Sequence, residues 1–303
     1  MMNIRKGLKM KKQSTLLLMI LFFYTYGVLT VFLGIFPYEQ LRDIKNYVLS
    51  TDENIPDDSN AEYIGRNVDV TGLINAPTET IKEPLVFITY GQSNSVNSGQ
   101  LGYETSEDVY MFLNGETYKY HDPALGGTGG NGSVWGRVGD QLIQNNVTNS
   151  VVFVNTGWGG ATLNILTNTG AYIFFDEQLR SVMDEYGKID GILFHQGESN
   201  HQHKGGSSEY ESDFLTLLSN IRNLTDAPFY LSQVSLCQNN QDELLLKIQD
   251  KLIREYKGVL RGPNSDLLFD PKFRLPDYCH FSKAGLDELS RMWLESIMDK
   301  SEI

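Results

Sequence analysis

The segment Leu85-Val86-Phe87-Ile88-Thr89-Tyr90-Gly91-Gln92-Ser93-Asn94 is the clearest guide to the architecture of this chain. Its first six residues form a nearly continuous apolar run, which is typical of a parallel strand buried on both faces. A small polar turn that contains a serine follows at once. In open α/β sheets, ligands bind at the carboxyl ends of the strands. The segment therefore predicts a parallel sheet that presents Ser93 as a candidate nucleophile.

Apolar runs alternate downstream with segments of helical periodicity. The predicted strands cover 85–90, 151–155, 191–194 and 229–234, with a short fifth at 267–269; the predicted helices cover 138–144, 174–186, 208–223, 241–256 and 282–298, with Ser282 as the last N-cap. Strands that alternate with helices form parallel sheets covered on both faces, joined by right-handed crossovers. We therefore predict an α/β fold, a three-layer α/β/α sandwich around a five-stranded parallel sheet.

The amino terminus has the pattern of a membrane anchor. Residues 14–36 carry no charge, and basic residues precede them. Such a helix is long enough to cross a hydrocarbon core of about 30 Å, and the basic flank places the amino terminus in the cytoplasm. We predict a cytoplasmic tail at 1–13, an uncleaved single-pass signal anchor at 14–36, a juxtamembrane tether at 37–83 and a periplasmic or extracellular catalytic domain at 84–303. The alternative is a cleaved signal peptide, whose apolar core is normally only about 7–15 residues.

Composition narrows the classes of partner. The 303 residues are 41% hydrophobic and 21% charged, as in a globular protein, and carry a formal charge of −13. Such an acidic chain is repelled by nucleic acid, so we expect no nucleic-acid partner. The two cysteines, Cys237 and Cys279, are too few for a disulfide scaffold or a four-cysteine zinc site.

Three more polar motifs follow predicted strands. Gly157–Thr162 comes after the second strand, Gln196-Gly197-Glu198 after the third, and Asp277 with His280 just before the last helix. Because the carboxyl ends of parallel strands share one edge of the sheet, we expect these motifs to meet Ser93 around one crevice.

In this order, Gly-Gln-Ser-Asn (91–94), Gly-Gly-Ala-Thr (159–162), His-Gln-Gly-Glu-Ser-Asn (195–200) and Asp-x-x-His (277–280) resemble the SGNH hydrolase superfamily. Within it, residues 84–297 are most similar to the sialate O-acetylesterase-like branch, which includes the acetylxylan esterases of carbohydrate esterase family 6. The resemblance implies a flavodoxin-like fold with a five-stranded parallel sheet. It also implies a carboxylic ester hydrolase that acts on acetylated carbohydrate without a cofactor.

The chemistry assigns roles to four residues. A serine hydroxyl needs a base to become a nucleophile, and His280 is the candidate base for Ser93. Asp277, three positions earlier, can orient the imidazole as the acid of a triad. Some related esterases use the glutamate that matches Glu198 for this purpose, so the sequence leaves the acid open.

An oxyanion needs donors that are aimed in advance. The candidates are the backbone N–H of Ser93, a backbone N–H from Gly159 or Gly160, and the side-chain amide of Gln196, which the resemblance implies.

Four further residues are predicted to contact substrate, namely Gln92, Asn94, Trp158 and Asn200. Trp158 fits a sugar-stacking platform and core packing equally well. Cys237 and Cys279 fit either a disulfide that braces the His280 loop or two buried thiols.

A group of histidines and a glycine-rich segment resemble binding motifs but lack their defining residues. His195, His201 and His203 lack the spacing of a zinc motif, so we predict no metal site. The glycine-rich segment 126–132 lacks the Gly-Lys-Ser/Thr ending of a phosphate loop, so we predict a flexible loop at the rim of the crevice.

The leading functional prediction is a serine esterase that removes O-acetyl groups from a carbohydrate of the sialate, xylan or surface-polysaccharide type. The first alternative is a polysaccharide O-acetyltransferase that uses the same Ser93 and His280. The second alternative is a non-catalytic glycan-binding protein. The sequence does not separate the first two, because water and a sugar hydroxyl compete for one acyl-enzyme.

Overall fold

The computed structural model describes residues 65–203 and 206–299. Within these ranges no helix is both long and apolar enough to cross a bilayer. The predicted cytoplasmic tail, the anchor at 14–36 and most of the predicted tether lie outside the described residues.

A seven-stranded mixed sheet forms the centre of the molecule. Its strands are β1 (Leu85–Gly91), β2 (Val109–Leu113), β3 (Glu116–Lys119), β4 (Val151–Asn155), β5 (Gly191–His195), β6 (Phe229–Gln233) and β7 (Val259–Asn264). They lie in the order β3-β2-β4-β1-β5-β6-β7. All neighbouring strands are parallel except β3, which pairs antiparallel with β2 at one edge.

The prediction of five parallel strands therefore misses the two strands of the β2–β3 hairpin. It also places the last strand at the wrong residues. Leu267 ends a 3₁₀ turn, and the final strand is Val259–Asn264. This strand contains Arg261, Gly262 and Pro263, which interrupt the apolar run by which a strand is recognised in a sequence. Such residues are tolerated in a strand at the edge of a sheet. The apolar residues Leu267 and Phe269 are each 63% exposed, so they lie at the surface.

Seven helices complete the described residues. They are α1 (Trp135–Gln144), α2 (Leu163–Asn168), α3 (Gly170–Tyr186), α4 (Glu198–Gln202), α5 (Gly206–Arg222), α6 (Glu243–Glu255) and α7 (Lys283–Met298). Ser282 caps α7 as predicted, since its side chain accepts the backbone N–H of Gly285.

Alternating side chains of β1 separate two cores. Val86, Ile88 and Tyr90 pack with residues of α2, α3, α5 and α6, whereas Phe87 packs with residues of α1 and α7. Because successive side chains of a strand point to opposite faces, β1 contributes to both layers. The molecule thus has helices on both faces of its sheet, as the alternating pattern predicts.

The part of the predicted tether that is described, residues 65–83, packs onto the domain. Arg66 forms an antiparallel bridge with Thr128, and Asn75 forms one with Tyr118. Ala76 and Ile81 are buried in the apolar core. The boundary predicted at residue 84 thus separates segments that the structure holds together.

Strand order brings the polar motifs together. The strands β4 and β5 flank β1, with Thr89 opposite Asn155 and Gly91 opposite His195. The loops that follow these three strands therefore leave the sheet side by side, at its carboxyl edge. The sheet places Ser93 between the glycine motif after β4 and the Gln-Gly-Glu motif after β5.

Candidate active site

Ser93 opens a short 3₁₀ turn, Ser93–Ser95, directly after β1. The strand ends at Gly91, whose φ of 131° favours glycine. A Cβ at Gly91 would lie 2.1 Å from the carbonyl oxygen of His195. The first N–H groups of a helical turn have no partner within it, so the backbone N–H of Ser93 is available to a ligand.

His280 joins Ser93 to Asp277. Its Nε2 lies 2.9 Å from Ser93 Oγ, and its Nδ1 lies 2.6 Å from Asp277 Oδ2. The other carboxylate oxygen of Asp277 accepts the backbone N–H groups of Cys279 and His280, at 2.9 and 3.0 Å. Three residues spread along the chain thus form one continuous hydrogen-bonded row.

The carboxyl of Asp277 is held as an anion. Burial would raise its pKa, but the hydrogen bond and charge of His280 and two backbone N–H donors lower the pKa to about 2. An ionised acceptor opposite Nδ1 keeps the proton on that nitrogen, which leaves Nε2 free to accept the proton of Ser93.

The loop that carries Asp277 and His280 is fastened at the carbonyl of Cys279. Arg274 Nη1 and Asn94 Nδ2 both donate to this oxygen, at 2.7 and 3.1 Å. A disulfide joins Cys279 to Cys237, in the loop after β6. The pairing that the sequence left open is therefore present, and it fixes the residue next to His280.

Arg274 is a residue that the sequence analysis missed. Its buried guanidinium also donates to the carbonyls of Leu268 and Ser265, at 2.8 Å each. Burial lowers its pKa to about 10, against nearby carboxylates that raise it. Its partners are backbone carbonyls that leave no pattern in the sequence, so no motif signals its role.

Glu198 lies beneath the nucleophile turn. Its buried Oε1 accepts Asn94 Nδ2 at 2.8 Å and lies 3.2 Å from His195 Nε2. Burial would raise its pKa, but His195 and Asn94 lower it. Within the described residues its carboxylate has no hydrogen bond to His280, so the geometry assigns the place behind the imidazole to Asp277.

Asn94 is predicted to bind substrate. In the structure its amide joins the loop that carries Glu198 to the loop that carries Asp277 and His280. One Nδ2 group donates both to Glu198 and to the carbonyl of Cys279. The side chain is buried, so the structure places it under Ser93 rather than at the surface of the crevice.

Gln196 is placed differently from the oxyanion donor that the resemblance implies. It is fully buried, and its Nε2 lies 2.6 Å from Asn200 Oδ1, with longer contacts to Gln92 Oε1 and the carbonyl of Ala161. All three partners are acceptors inside the protein. The amide thus holds loops together in this structure, and its role as an oxyanion donor stays a prediction.

Gln92 and Asn200 are likewise interior braces. Gln92 Oε1 accepts the N–H of Ser199 at 2.9 Å, at the start of α4. Asn200 Oδ1 also accepts the N–H of Leu163, and its Nδ2 donates to Gly206. Both residues are 2% exposed, so the structure shows them positioning loops, and their predicted contact with substrate stays a prediction.

The glycine motif after β4 faces Ser93. Gly159 and Gly160 are both exposed, and a Cβ at Gly159 would lie 3.9 Å from Ser93 Cβ. The N–H of Gly159 donates to Thr128 Oγ1 at 2.7 Å. The neighbouring Trp158 is partly buried and packs against the core, 5.1 Å from the Arg66 guanidinium.

The histidines near Gln-Gly-Glu have other surroundings. His195 is fully buried beside Glu198, and His201 Nδ1 lies 3.4 Å from Asp242 Oδ2. In the described part of the chain, no three His, Cys, Asp or Glu side chains are grouped as a metal site.

Breaking the disulfide is expected to cost stability more than turnover. For a loop closed by cysteines 42 positions apart, the chain-entropy model gives about 4 kcal/mol for the double variant Cys237→Ser/Cys279→Ser. Turnover should fall only about threefold, because Arg274 and Asn94 still hold the Cys279 carbonyl. Thermal unfolding and acetate release measured with and without a reductant check this. An unfolding midpoint that a reductant leaves unchanged would contradict it.

Comparison with known proteins identifies solved structures that share the fold. Solved structures with the same fold include a protein from Arabidopsis thaliana (TM-score 0.58, 14% identity, covering 71% of this chain and 98% of that one). They also include NanS (0.52, 15%, 72% and 98%) and a GDSL-like lipase from Parabacteroides merdae (0.51, 15%, 72% and 97%). No protein with a curated description matches by sequence.

A family model described as carbohydrate esterase, sialic acid-specific acetylesterase, matches residues 83–299, which is most of the chain. The matched range contains the serine turn, the glycine motif, the Gln-Gly-Glu motif and the Asp277–His280 loop. The chain therefore belongs to this family of carbohydrate esterases and is a carboxylic ester hydrolase.

Proposed function

We propose that the protein removes O-acetyl groups from a carbohydrate through an acetyl-enzyme on Ser93. The observation that carries the proposal is the position of His280, which lies within hydrogen-bond distance of Ser93 Oγ and Asp277 Oδ2 at once. A serine, an imidazole and an ionised carboxylate in this row are the groups that acyl transfer requires.

In the acylation step, Ser93 Oγ bonds to the acetyl carbon and its proton passes to His280 Nε2. The carbonyl π electrons move onto oxygen and form a tetrahedral oxyanion. Collapse of this intermediate breaks the bond to the sugar oxygen, which takes the proton from His280. In the deacylation step, His280 takes a proton from water as the water oxygen bonds to the acetyl carbon. The bond to Ser93 Oγ then breaks, Ser93 recovers its proton from His280, and acetate is released.

Acetate release from O-acetylated carbohydrate tests the proposal. Full-length protein is incubated with O-acetylated sialic acid, acetylated xylan or an acetylated bacterial polysaccharide, and acetate is measured enzymatically. Unmodified glycan is added in parallel and analysed for acetyl gain by mass spectrometry. Acetate release without transfer supports the hydrolase; acetyl gain on the added glycan would replace it with the acetyltransferase alternative. Binding without either product would favour the glycan-binding alternative.

A methyl group at Gly159 is expected to block this chemistry while leaving the fold intact. The backbone of Gly159 is outside the left-handed region, and its Cβ would lie 3.2 Å from Thr128 Oγ1 and 3.9 Å from Ser93 Cβ. The methyl would occupy the space where the acetyl carbonyl must sit, so kcat/KM for Gly159→Ala should fall at least about tenfold.

The matched control is Gly130→Ala, because a Cβ there meets no atom within 4 Å and its φ is not positive. Its kcat/KM and unfolding midpoint should equal those of the unchanged protein. Equal kcat/KM for both alanine variants would contradict the placement of substrate beside Gly159.

We also propose that residues 14–36 anchor the protein, with the amino terminus in the cytoplasm and the catalytic domain outside. The uncharged segment and its basic flank support this orientation. The disulfide between Cys237 and Cys279 supports an oxidising compartment. Membrane fractions of cells expressing the full chain should retain the protein until detergent is added, and external protease should reach residues 84–303. Recovery of a soluble form that starts near residue 37 would favour signal cleavage.

A further inference from the structure

The glycine-rich segment 126–132 is predicted to be a flexible rim loop, but its first half is firmly held. Arg66 Nη1 donates to the carbonyls of Gly126, Thr156 and Gly157, at 2.8, 3.1 and 3.0 Å. The guanidinium also stacks 3.9 Å from the ring of Phe174. Arg66 therefore ties this segment to the glycine motif after β4.

Thr128, in this segment, is fixed by its own backbone. It pairs with Arg66 in an antiparallel bridge, and its carbonyl accepts the N–H of Asn97 at 3.2 Å. Its side chain is 8% exposed. The hydroxyl is thus held in place before any substrate arrives.

The hydroxyl of Thr128 accepts one hydrogen bond, and its own hydrogen is still available to donate another. Its Oγ1 accepts the N–H of Gly159 at 2.7 Å. Among residues 65–203 and 206–299, no nitrogen or oxygen accepts its hydrogen. A threonine hydroxyl can donate and accept at once, and a donor polarised by an accepted bond is the stronger one.

The space in front of this hydroxyl is shared with the nucleophile. One point, the Cβ position at Gly159, lies 3.2 Å from Thr128 Oγ1 and 3.9 Å from Ser93 Cβ. Thr128 Oγ1 and Ser93 Cβ therefore both border one small gap beside Gly159. An acetyl carbonyl attacked by Ser93 Oγ would bring its oxygen into this gap.

Two of the other predicted donors are directed elsewhere. The Gln196 amide is bonded inside the protein, and the N–H of Gly159 is aimed at Thr128. We propose that the Thr128 hydroxyl donates to the oxyanion of the tetrahedral intermediate, together with the backbone N–H of Ser93. Thr128 keeps its proton throughout, because the transferred proton moves only between Ser93, His280 and the leaving oxygen. The inference rests on the proposed esterase function.

Thr128→Val and Thr128→Ser separate the hydroxyl from the shape of the side chain. With full-length protein and para-nitrophenyl acetate, kcat for Thr128→Val should fall about 10²- to 10³-fold, with KM within about threefold, since the donor acts in the transition state. Thr128→Ser keeps the donor, and its kcat should stay within about fivefold of the unchanged protein. The N–H of Gly159 freed in the valine variant points to the former hydroxyl site, so it does not replace the donor.

A tetrahedral analogue distinguishes this role from loop support. A methylphosphonate ester that modifies Ser93 should react more slowly with Thr128→Val by about the same factor as kcat. The unfolding free energy should fall only by about 1 kcal/mol, for the lost hydrogen bond from Gly159. Unchanged kcat in Thr128→Val, or equal losses in the serine and valine variants, would overturn the inference. Ser93→Ala serves as the reference. If Ser93→Ala still releases acetate, the proposed function fails. If Ser93→Ala is inactive and Thr128→Val is as active as the unchanged protein, the Thr128 inference alone fails.

Discussion

Ser93→Ala is expected to lower kcat for acetate release by at least about 10⁴-fold, with the fold unchanged. The side chain of Ser93 makes its described hydrogen bond to His280 Nε2, so removing Oγ leaves no buried donor or acceptor of the core unpaired. The loss arises because no other hydroxyl lies within reach of that imidazole nitrogen in the described residues. Steady-state release of acetate by the full-length protein, with thermal unfolding as a check, gives the measurement.

Ser95→Ala is the matched control for this prediction. Ser95 lies in the same 3₁₀ turn, but its Oγ donates to the carbonyl of Gln92 at 2.7 Å and is buried away from His280. Its removal should cost about 1 kcal/mol of stability and change kcat less than about fivefold. If Ser95→Ala inactivated the enzyme and Ser93→Ala did not, the nucleophile would be assigned wrongly.

The second large effect is expected from Asp277→Asn. The amide keeps an oxygen for the backbone N–H groups of Cys279 and His280, but it presents an N–H donor or an uncharged oxygen to His280 Nδ1. Without the anion, the imidazole adopts the wrong tautomer and its cation loses its partner. The kcat should fall about 10³- to 10⁴-fold, as it does when the acid of a serine triad is neutralised.

Glu198→Gln is the matched carboxylate-to-amide change at the rival position. Its Oε1 can still accept Asn94 Nδ2, so the turn that carries Ser93 keeps its support. We expect kcat to fall no more than about tenfold. Parallel measurement of kcat, KM and unfolding midpoint for the two variants decides the question. A larger loss of kcat in Glu198→Gln, at an unchanged midpoint, would make Glu198 the triad acid.

The sequence predicts where the motifs meet because strand ends are visible in it. Apolar runs such as 85–90 and 191–194 are long and buried on both faces, so the polar residues after them mark the carboxyl edge of the sheet. The position of His280 does not follow from this rule, because the strand predicted before it at 267–269 is not formed. The outer strand Val259–Asn264 does not follow from it either, because an edge strand carries polar and turn-forming residues.

The direction of a side chain is harder to predict than its place along the chain. Gln196 lies at the expected strand end, but its amide points into the protein, where Asn200 Oδ1 lies 2.6 Å away. A motif specifies the residue types and their spacing. It does not specify with which neighbour a side chain forms its hydrogen bond. The same reason explains why Gln92 and Asn200 are loop braces.

Residues that act on backbone carbonyls leave no sequence signal at all. Arg66 and Arg274 each donate to three backbone carbonyls from two segments of the chain, and each is buried. A lone arginine in a loop is usually solvated, so neither attracts notice before the fold is known. Arg66 also shows that the segment before residue 84 supports the loops around Ser93.

Covalent labelling tests the central claim most directly. Full-length protein is treated with diisopropyl fluorophosphate, activity is followed, and the modified peptide is located by mass spectrometry, with His280→Ala labelled in parallel. We predict one phosphoryl group per chain on Ser93, formed at the rate at which acetate release is lost, and slow labelling of His280→Ala. Loss of acetate release with the label on another residue, or equal labelling rates in the two proteins, would contradict the account.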